Sequence, residues 1–347
     1  MQSFRTEIEN PIVEKDILDL EKKIHAFKNN KIDEEKFRSL RLARGVYGQR
    51  QQGVQMIRIK LPLGKFTAKQ LLRMAEVSDD FASGNLHITT RQDIQLHYVP
   101  LDRTPELWAL LERDKITLRE ACGNTVRNVT ASVYAGVDPK EAFDVTPYAQ
   151  AFFEYFLRNP LCQEMGRKFK VAFSSSVDDQ AMTFIHDLGF IPKIKEGKKG
   201  FRVLLGGGIG SQPEGAKEIY EFLDTDSYIP FSEAVIRVFD RHGERNRRNK
   251  ARLKFLIKEM GLETFLALVE QEWKVLLKPN LVVSPTERLL KTPQYQGDTD
   301  VEIEDTDYEN WKQTNLYSQK QEGYFAVGVP ITVGDLSSEK ARQLAEV

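Results

Sequence analysis

The residues best placed to do chemistry lie between Arg119 and Gly136, in the run REACGNTVRNVTASVYAG. Gly123 and Asn124 read as a turn, and Val126, Val129, Ala131 and Val133 after it as a β-branched strand. Arg127, beside Asn128, is then an arginine carried on a buried strand. An isolated buried guanidinium is expensive, so it needs an anionic partner, either an internal carboxylate or a bound anion. A second basic stretch follows in MGRKFKVAFSSS (165–176). Lys168 and Lys170 are two apart and share one strand face, with Phe169 and Val171 on the other. Like charges on one face repel unless an anion lies over them. Arg127, Lys168 and Lys170 together read as a cationic floor for a polyanion.

GNTVRNVTA (123–131) and RKFKVAFS (167–174) resemble the siroheme-binding half of the sulfite and nitrite reductases. RGVYGQRQQG (44–53), IRIKLPLG (57–64), LHITTRQDIQLHYV (86–99) and VLLGGGIG (203–210) fall in the family's order. The resemblance implies an α+β protein, with a ferredoxin-like half-domain and a mixed α/β siroheme-binding domain. It implies multi-electron reduction of sulfite or nitrite, with electrons from a ferredoxin or a flavoprotein. Arg58, Arg127, Lys168 and Lys170 would hold the oxyanion, stabilise negative charge and relay protons. Siroheme would be contacted by Arg50, Gln51, His87, Arg91, Gln95, His97, Asn124 and Arg167, and by the loop of Gly206, Gly207 and Gly208. His87 stands where many relatives carry an arginine, although an imidazole can still donate to a carboxylate. Nitrite reductases of the family more often have asparagine at the place of Lys170, so that lysine leans towards sulfite.

Composition sets the bounds. With 347 residues, 41% hydrophobic and 29% charged, the chain has the make-up of a globular protein of two or three domains. A formal net charge of −1 supplies no global field for nucleic acid or membrane. No apolar run reaches the length of a membrane span, and the mixed-charge N-terminus is no signal peptide, so the cytoplasm is expected. Only two cysteines occur, Cys122 and Cys162, too few for a thiolate-held cluster. No metal ligands are expected here. In the family a later half supplies four cysteines to a 4Fe-4S cluster, one of which also ligates the siroheme iron. The chain is therefore expected to be an N-terminal portion, inactive without its C-terminal half.

The positioning elements follow from periodicity. Ile17, Leu20, Ile24 and Phe27 have helical spacing and open an arm over residues 1–53 that reaches the cofactor through Arg44–Gln52. Residues 54–115 read as the first half-repeat. A strand alternates Met56, Arg58 and Lys60 with Ile57, Ile59 and Leu61, and Thr67 caps a helix to about Ala82. One long strand over 86–99 would then line up His87, Thr89, Arg91, Asp93, Gln95 and His97. A helix is expected over 104–121. Residues 116–277 read as the siroheme-binding domain, with helix 147–157, a basic hairpin at 193–199, a strand entering the glycine loop, and helix throughout 231–277.

The span 241–258 holds eight cations: Arg241, Arg245, Arg247, Arg248, Lys250, Arg252, Lys254 and Lys258. Taken alone it reads as a nucleic-acid patch, the basis of a non-enzymatic alternative. A many-carboxylate tetrapyrrole competes for the same charges and is preferred. A cobalamin-pathway relative is a further alternative, opposed by the full RKFK set. Residues 278–322, with GDTDVEIEDTD (297–307), read as an acidic linker. Residues 323–347 begin a second half-repeat: VGDLSSEKARQLAEV (333–347) aligns with LGKFTAKQLLRMAEV (63–77), 333 − 63 giving an offset of 270.

Overall fold

The computed structural model describes residues 9–276, residue 283 and residues 306–347. It is an α+β structure with two five-stranded sheets, each with its own core. The chain opens with α1 (Pro11–Lys28) and α2 (Glu34–Leu42), capped by the side chains of Asn10 and Asp33. Ile17, Leu20 and Ile24 of α1 are buried, as their spacing requires. The first sheet follows: β1 (Val46–Gly48), β2 (Val54–Ile59), β3 (Asn85–Ile88) and β4 (Ile94–Pro100), in the order β1-β2-β4-β3. Helix α3 (Ala68–Phe81) joins β2 to β3, and Thr67 with Gln70 forms a complete capping box at its start.

Two expectations change here. The stretch 86–99 is a tight hairpin rather than one strand: Thr89 N donates to Asp93 O, and Gln92 turns the chain at φ 57°. His87 and Gln95 become cross-strand partners, as do Gln95 and Arg58. The row Arg58–Gln95–His87 thus shares one face by register across three strands, not by alternation along one. Helix α4 (Thr104–Glu112) stops well short of 121, because Lys115 takes a left-handed φ of 59° and Lys60 bridges to Thr117.

The second sheet comprises β5 (Val126–Ala131), β6 (Phe169–Phe173), β7 (Leu188–Lys195), β8 (Lys198–Leu205) and β9 (Lys217–Asp224) in sequential order. β5, β6 and β7 run parallel, and the β7–β8–β9 meander is antiparallel. Helix α5 (Thr146–Phe156) crosses between β5 and β6. Helices α6 (Tyr228–His242), α7 (Leu253–Met260) and α8 (Leu262–Val275) follow the sheet. The expected unbroken helix from 231 is therefore three, and most of the basic cluster lies in the connection between α6 and α7. The core is strongly aromatic, with Phe152, Phe173, Phe190, Phe201 and Tyr228 in mutual edge and stacked contact.

Beyond residue 305, α9 (Thr306–Asn315) and the ribbon β10 (Leu316–Ser318) with β11 (Phe325–Val327) replace part of the expected linker; most of 278–305 lies outside the described residues. Strand β12 (Asp335–Ser337) then joins the first sheet beside β3, and α10 (Ser338–Glu346) lies against α3, with Ser338 and Arg342 both holding Asp79. The two repeat copies share their geometry. Leu63 and Val333 both sit in short 3-10 turns at positive φ, 60° and 51°, and Thr67 and Ser337 cap the following helices.

Candidate anion-binding and cofactor site

Arg127 lies on β5, and Lys168 and Lys170 flank Phe169 at the start of β6. Phe169 and Val171 are fully buried, so both lysines face the opposite side, as their spacing predicts. These groups stand at the N-terminal ends of the parallel strands, facing the β3–β4 turn. Side chains join the two sheets there. Asn128 Nδ2 donates to Leu61 O (2.6 Å) and Arg91 O (3.2 Å), and Lys60 Nζ donates to Val126 O (3.2 Å). Gln92 exchanges two bonds with the backbone of Ala131, at 2.7 and 3.2 Å.

Of the two anionic partners expected for Arg127, the described residues supply no internal carboxylate. Arg127 Nε donates to Gly123 O (2.9 Å) and its Nη1 to Ala121 O (3.3 Å), so loop carbonyls rather than a carboxylate hold it. Arg91 behaves alike, with Nη2 bonded to Asn128 O (2.7 Å) and Val171 O (3.1 Å). Arg58 donates through Nε (3.2 Å) and Nη2 (2.5 Å) to the Gln95 amide oxygen, in the amide orientation that satisfies both. Among the described residues, no carboxylate forms an ion pair with Arg58, Arg91, Arg127, Arg167, Lys168 or Lys170. Two of the nearby acids are engaged elsewhere: buried Glu120 lies 3.8 Å from Lys60 and 3.6 Å from Arg119, and Asp187 holds Arg252 at 2.8 Å.

The cost of this crowding shows in the protonation equilibria. Burial, then Arg127, Lys170 and Arg167, push the Lys168 ammonium down to about 7. Burial, then Arg91 and Arg252, take Lys170 to about 8. Burial lowers Arg91 to about 10 and lowers Arg127 as well. Buffered in this way, the lysines can give up and regain protons near neutrality, as a proton relay to a bound oxyanion requires.

Two clefts flank the cluster. One, of about 630 Å³, is lined by Arg58, His87, Arg91, Gln95 and Lys170, with Val333 and Gly334 of the second repeat as its far wall. The other, of about 890 Å³, is lined by Arg127, Asn124, Arg167, Arg44, Arg119 and Arg248 among others. His97 sits beside His87, ring centroids 6.0 Å apart, and burial lowers its pKa ahead of the effect of His87. His87 Nδ1 pairs with Asp335 Oδ1 of β12 at 2.8 Å. Arg50 and Gln51 lie in the exposed β1–β2 turn and are not brought to the cluster.

The glycine loop is built for close packing more than for anion capture. Gly206 N donates to Asp187 O and Gly208 N to Glu214 O, both at 2.9 Å. A side chain on Gly207 would collide with the Phe184 and His186 carbonyls. Lys254 donates into this loop at Gly208 O (3.0 Å) and Gln212 O, and Arg252 lies over it. The 241–258 charges are likewise largely spent internally: Arg241 on Glu272, Arg245 on Asp240, Arg247 on Glu244 and Arg252 on Asp187. Sequence reasoning assigned no role to Asp187, whose carboxylate also accepts from Lys170 N (2.9 Å), or to Asp93, buried in the cluster itself. Asp187 and Arg252 are 65 residues apart, and no local pattern links them.

Comparison with known proteins agrees with this fold. The model of the nitrite/sulfite reductase ferredoxin-like half domain matches residues 47–114, and that of the nitrite and sulphite reductase 4Fe-4S domain matches residues 122–277. The chain is 29% identical over 291 residues to a ferredoxin–nitrite reductase of Leptolyngbya laminosa, covering 82% of this chain and 53% of that protein. It is 30% identical over 247 residues to sulfite reductase [ferredoxin] 1 of Mycolicibacterium paratuberculosis, covering 66% and 44%. Among solved structures, the Mycobacterium tuberculosis NirA protein superposes with a TM-score of 0.75 at 25% identity, over 95% of this chain and 62% of that one. The chain thus spans about half the length of the curated relatives it matches. Two adjoining family models, a shared fold and a cationic cluster in the matched segments lead to one conclusion: the chain belongs to the nitrite and sulfite reductase family.

Proposed function

We propose that this chain forms the basic face of a nitrite or sulfite reductase, binding siroheme and the oxyanion that is reduced there. The observation that carries the reading is six cations in one cluster with no carboxylate ion pair among the described residues, two of them lysines held near neutrality. Such an arrangement is costly unless an anion completes it. A tetrapyrrole polycarboxylate fits this donor set. Arg91 Nε and Arg167 Nε are buried without a hydrogen-bond partner, and Arg58, Lys168 and Lys170 line or adjoin the open clefts. When bound, siroheme supplies the iron at which electrons reach the substrate. The residues here do the electrostatic work: Arg58 and Arg127 attract the oxyanion and stabilise growing negative charge, and Lys168 and Lys170 pass protons to its oxygens.

A 4Fe-4S cluster does not fit this chain. Cys122 and Cys162 are both buried and burial raises both thiols, and no metal-holding group of acids, histidines and cysteines occurs among the described residues. Turnover through such a cluster would then need cysteines that this chain does not supply. Ferredoxin is the donor we favour, since the curated relatives above carry it in their names. Nucleic-acid binding through 241–258 is the less favoured reading, because internal ion pairs take up four of its eight cations.

The test is a visible-absorption titration of the purified chain with siroheme. Wild type should retain a stoichiometric Soret band, and Lys168→Met with Lys170→Met should weaken retention at least tenfold. These two side chains make no hydrogen bond among the described residues, so their loss should not disturb the fold. Equal retention by the double variant would sink the assignment.

A further inference from the structure

Asp93 is the acid that the cationic cluster encloses without pairing. It stands in the β3–β4 turn just ahead of β4, two residues from Gln95. Arg58 of β2, Lys60 just after that strand, Arg91 of its own turn and Arg127 of β5 all act on its charge, as Asp93 does on Cys122 in the loop before β5. Only 1% of the residue is exposed, and its Oδ1 is buried with no hydrogen-bond partner. No ion pair joins it to any of the four cations among the described residues. Asp187, the other acid close to the lysines, is differently placed: both oxygens are engaged, by Arg252 and by Lys170 N.

A carboxyl within the field of several cations, yet bonded to none, responds strongly to any change in local charge. Burial disfavours its ionised form, and the cations favour that form. An anion arriving over Arg58, Arg127 and Lys168 screens those cations and adds negative charge beside the carboxyl. Both effects drive it to take up a proton. We propose that Asp93 is a proton-holding residue coupled to anion occupancy: an oxyanion entering the cluster draws a proton from solvent onto the Asp93 carboxyl. The inference deepens the reading of the cluster as an oxyanion site and rests on it. Its balance is simple, one proton leaving water for a carboxylate oxygen as one anion is bound. The energetic case agrees, since burial, offset by Arg58 and Arg91, already raises Asp93 to about 6, within reach of physiological pH.

The experiment is calorimetric titration with sulfate, which keeps its charge across this range, at pH 6.5 in two buffers of different ionisation heat. Wild type should take up protons on binding. Asp93→Asn should still bind sulfate but lose the larger part of that uptake. Unchanged uptake in Asp93→Asn would overturn this inference and leave the anion site standing. Failure of wild type to bind sulfate would overturn both. Should Asp93→Asn not fold, the wild-type Asp93 carboxyl ¹³C resonance, assigned through the backbone, gives the same answer. Its titration midpoint should rise by about one unit on adding sulfate, and a stationary midpoint would refute the coupling.

Discussion

At Lys168 an ammonium group is kept where burial and four neighbouring cations oppose its charge. Its ordinary value of 10.5 falls to about 7, so the native state carries the penalty fully below pH 7 and sheds it as pH rises towards 10.5. Lys168→Met should therefore stabilise the anion-free protein at pH 6, by about 1 kcal/mol once solvent screening of this partly buried group is allowed for, and by little at pH 10. Thermal midpoints at the two pH values check this, and a lower midpoint for the variant at pH 6 would make Lys168 a structural residue. Asp93 has the opposite sign. Its raised value means that ionisation destabilises the fold, so wild type should lose ground to Asp93→Asn as pH climbs from about 4 to 6. The difference, on the order of 3 kcal/mol, is measurable by urea denaturation at pH 4.5 and 7.5. The types and spacing of Arg127, Lys168 and Lys170 were legible in the sequence because strand alternation fixes a shared face. The carbonyl partners of Arg127 were not. Gly123 and Ala121 accept through their backbone, which every residue possesses, and no side-chain pattern betrays it.

At the scale of elements, helices announced themselves where caps and apolar spacing coincided, as at Thr67 with Gln70. Removing that box with Thr67→Ala should cost about 1 kcal/mol, measurable by denaturant midpoint. The β3–β4 hairpin was hidden, because its turn is made by Thr89, Thr90, Arg91 and Gln92 without glycine or proline, and Gln92 adopts a positive φ unaided. The same hairpin gathers the row Arg58–Gln95–His87, so an error about one turn would have misplaced part of the site. Helix α4 stopped early for a kindred reason, a left-handed Lys115 that carries no sequence mark. The repeat was readable as a constant offset, and the shared backbone strain at Leu63 and Val333 shows that it is a copied conformation as well as a copied pattern.

At the scale of the molecule, two cores meet along one seam, and the anion cluster lies on that seam. Asn128 ties it by donating to Leu61 O and Arg91 O from a fully buried position. Asn128→Ala should cost about 1–3 kcal/mol and let the two cores unfold separately, seen as a broadened or split calorimetric transition where wild type gives one. An anion bridging the seam should do the reverse. At low ionic strength, sulfate should raise the melting temperature of wild type in proportion to its occupancy, and the rise should be smaller for Lys168→Met.

The seam has one more consequence. β5 is the outermost strand of its sheet, and an outermost strand offers unpaired peptide groups on which another chain could build. Here Lys60, Arg91 and Gln92 reach across from the neighbouring half and occupy the backbone of Val126, Asn128 and Ala131. The amide of Gln92 imitates a passing strand, giving one bond and taking one. The contacts that assemble the anion site therefore also seal the sheet against edge-to-edge aggregation, and a lesion in one function should surface as a failure of the other.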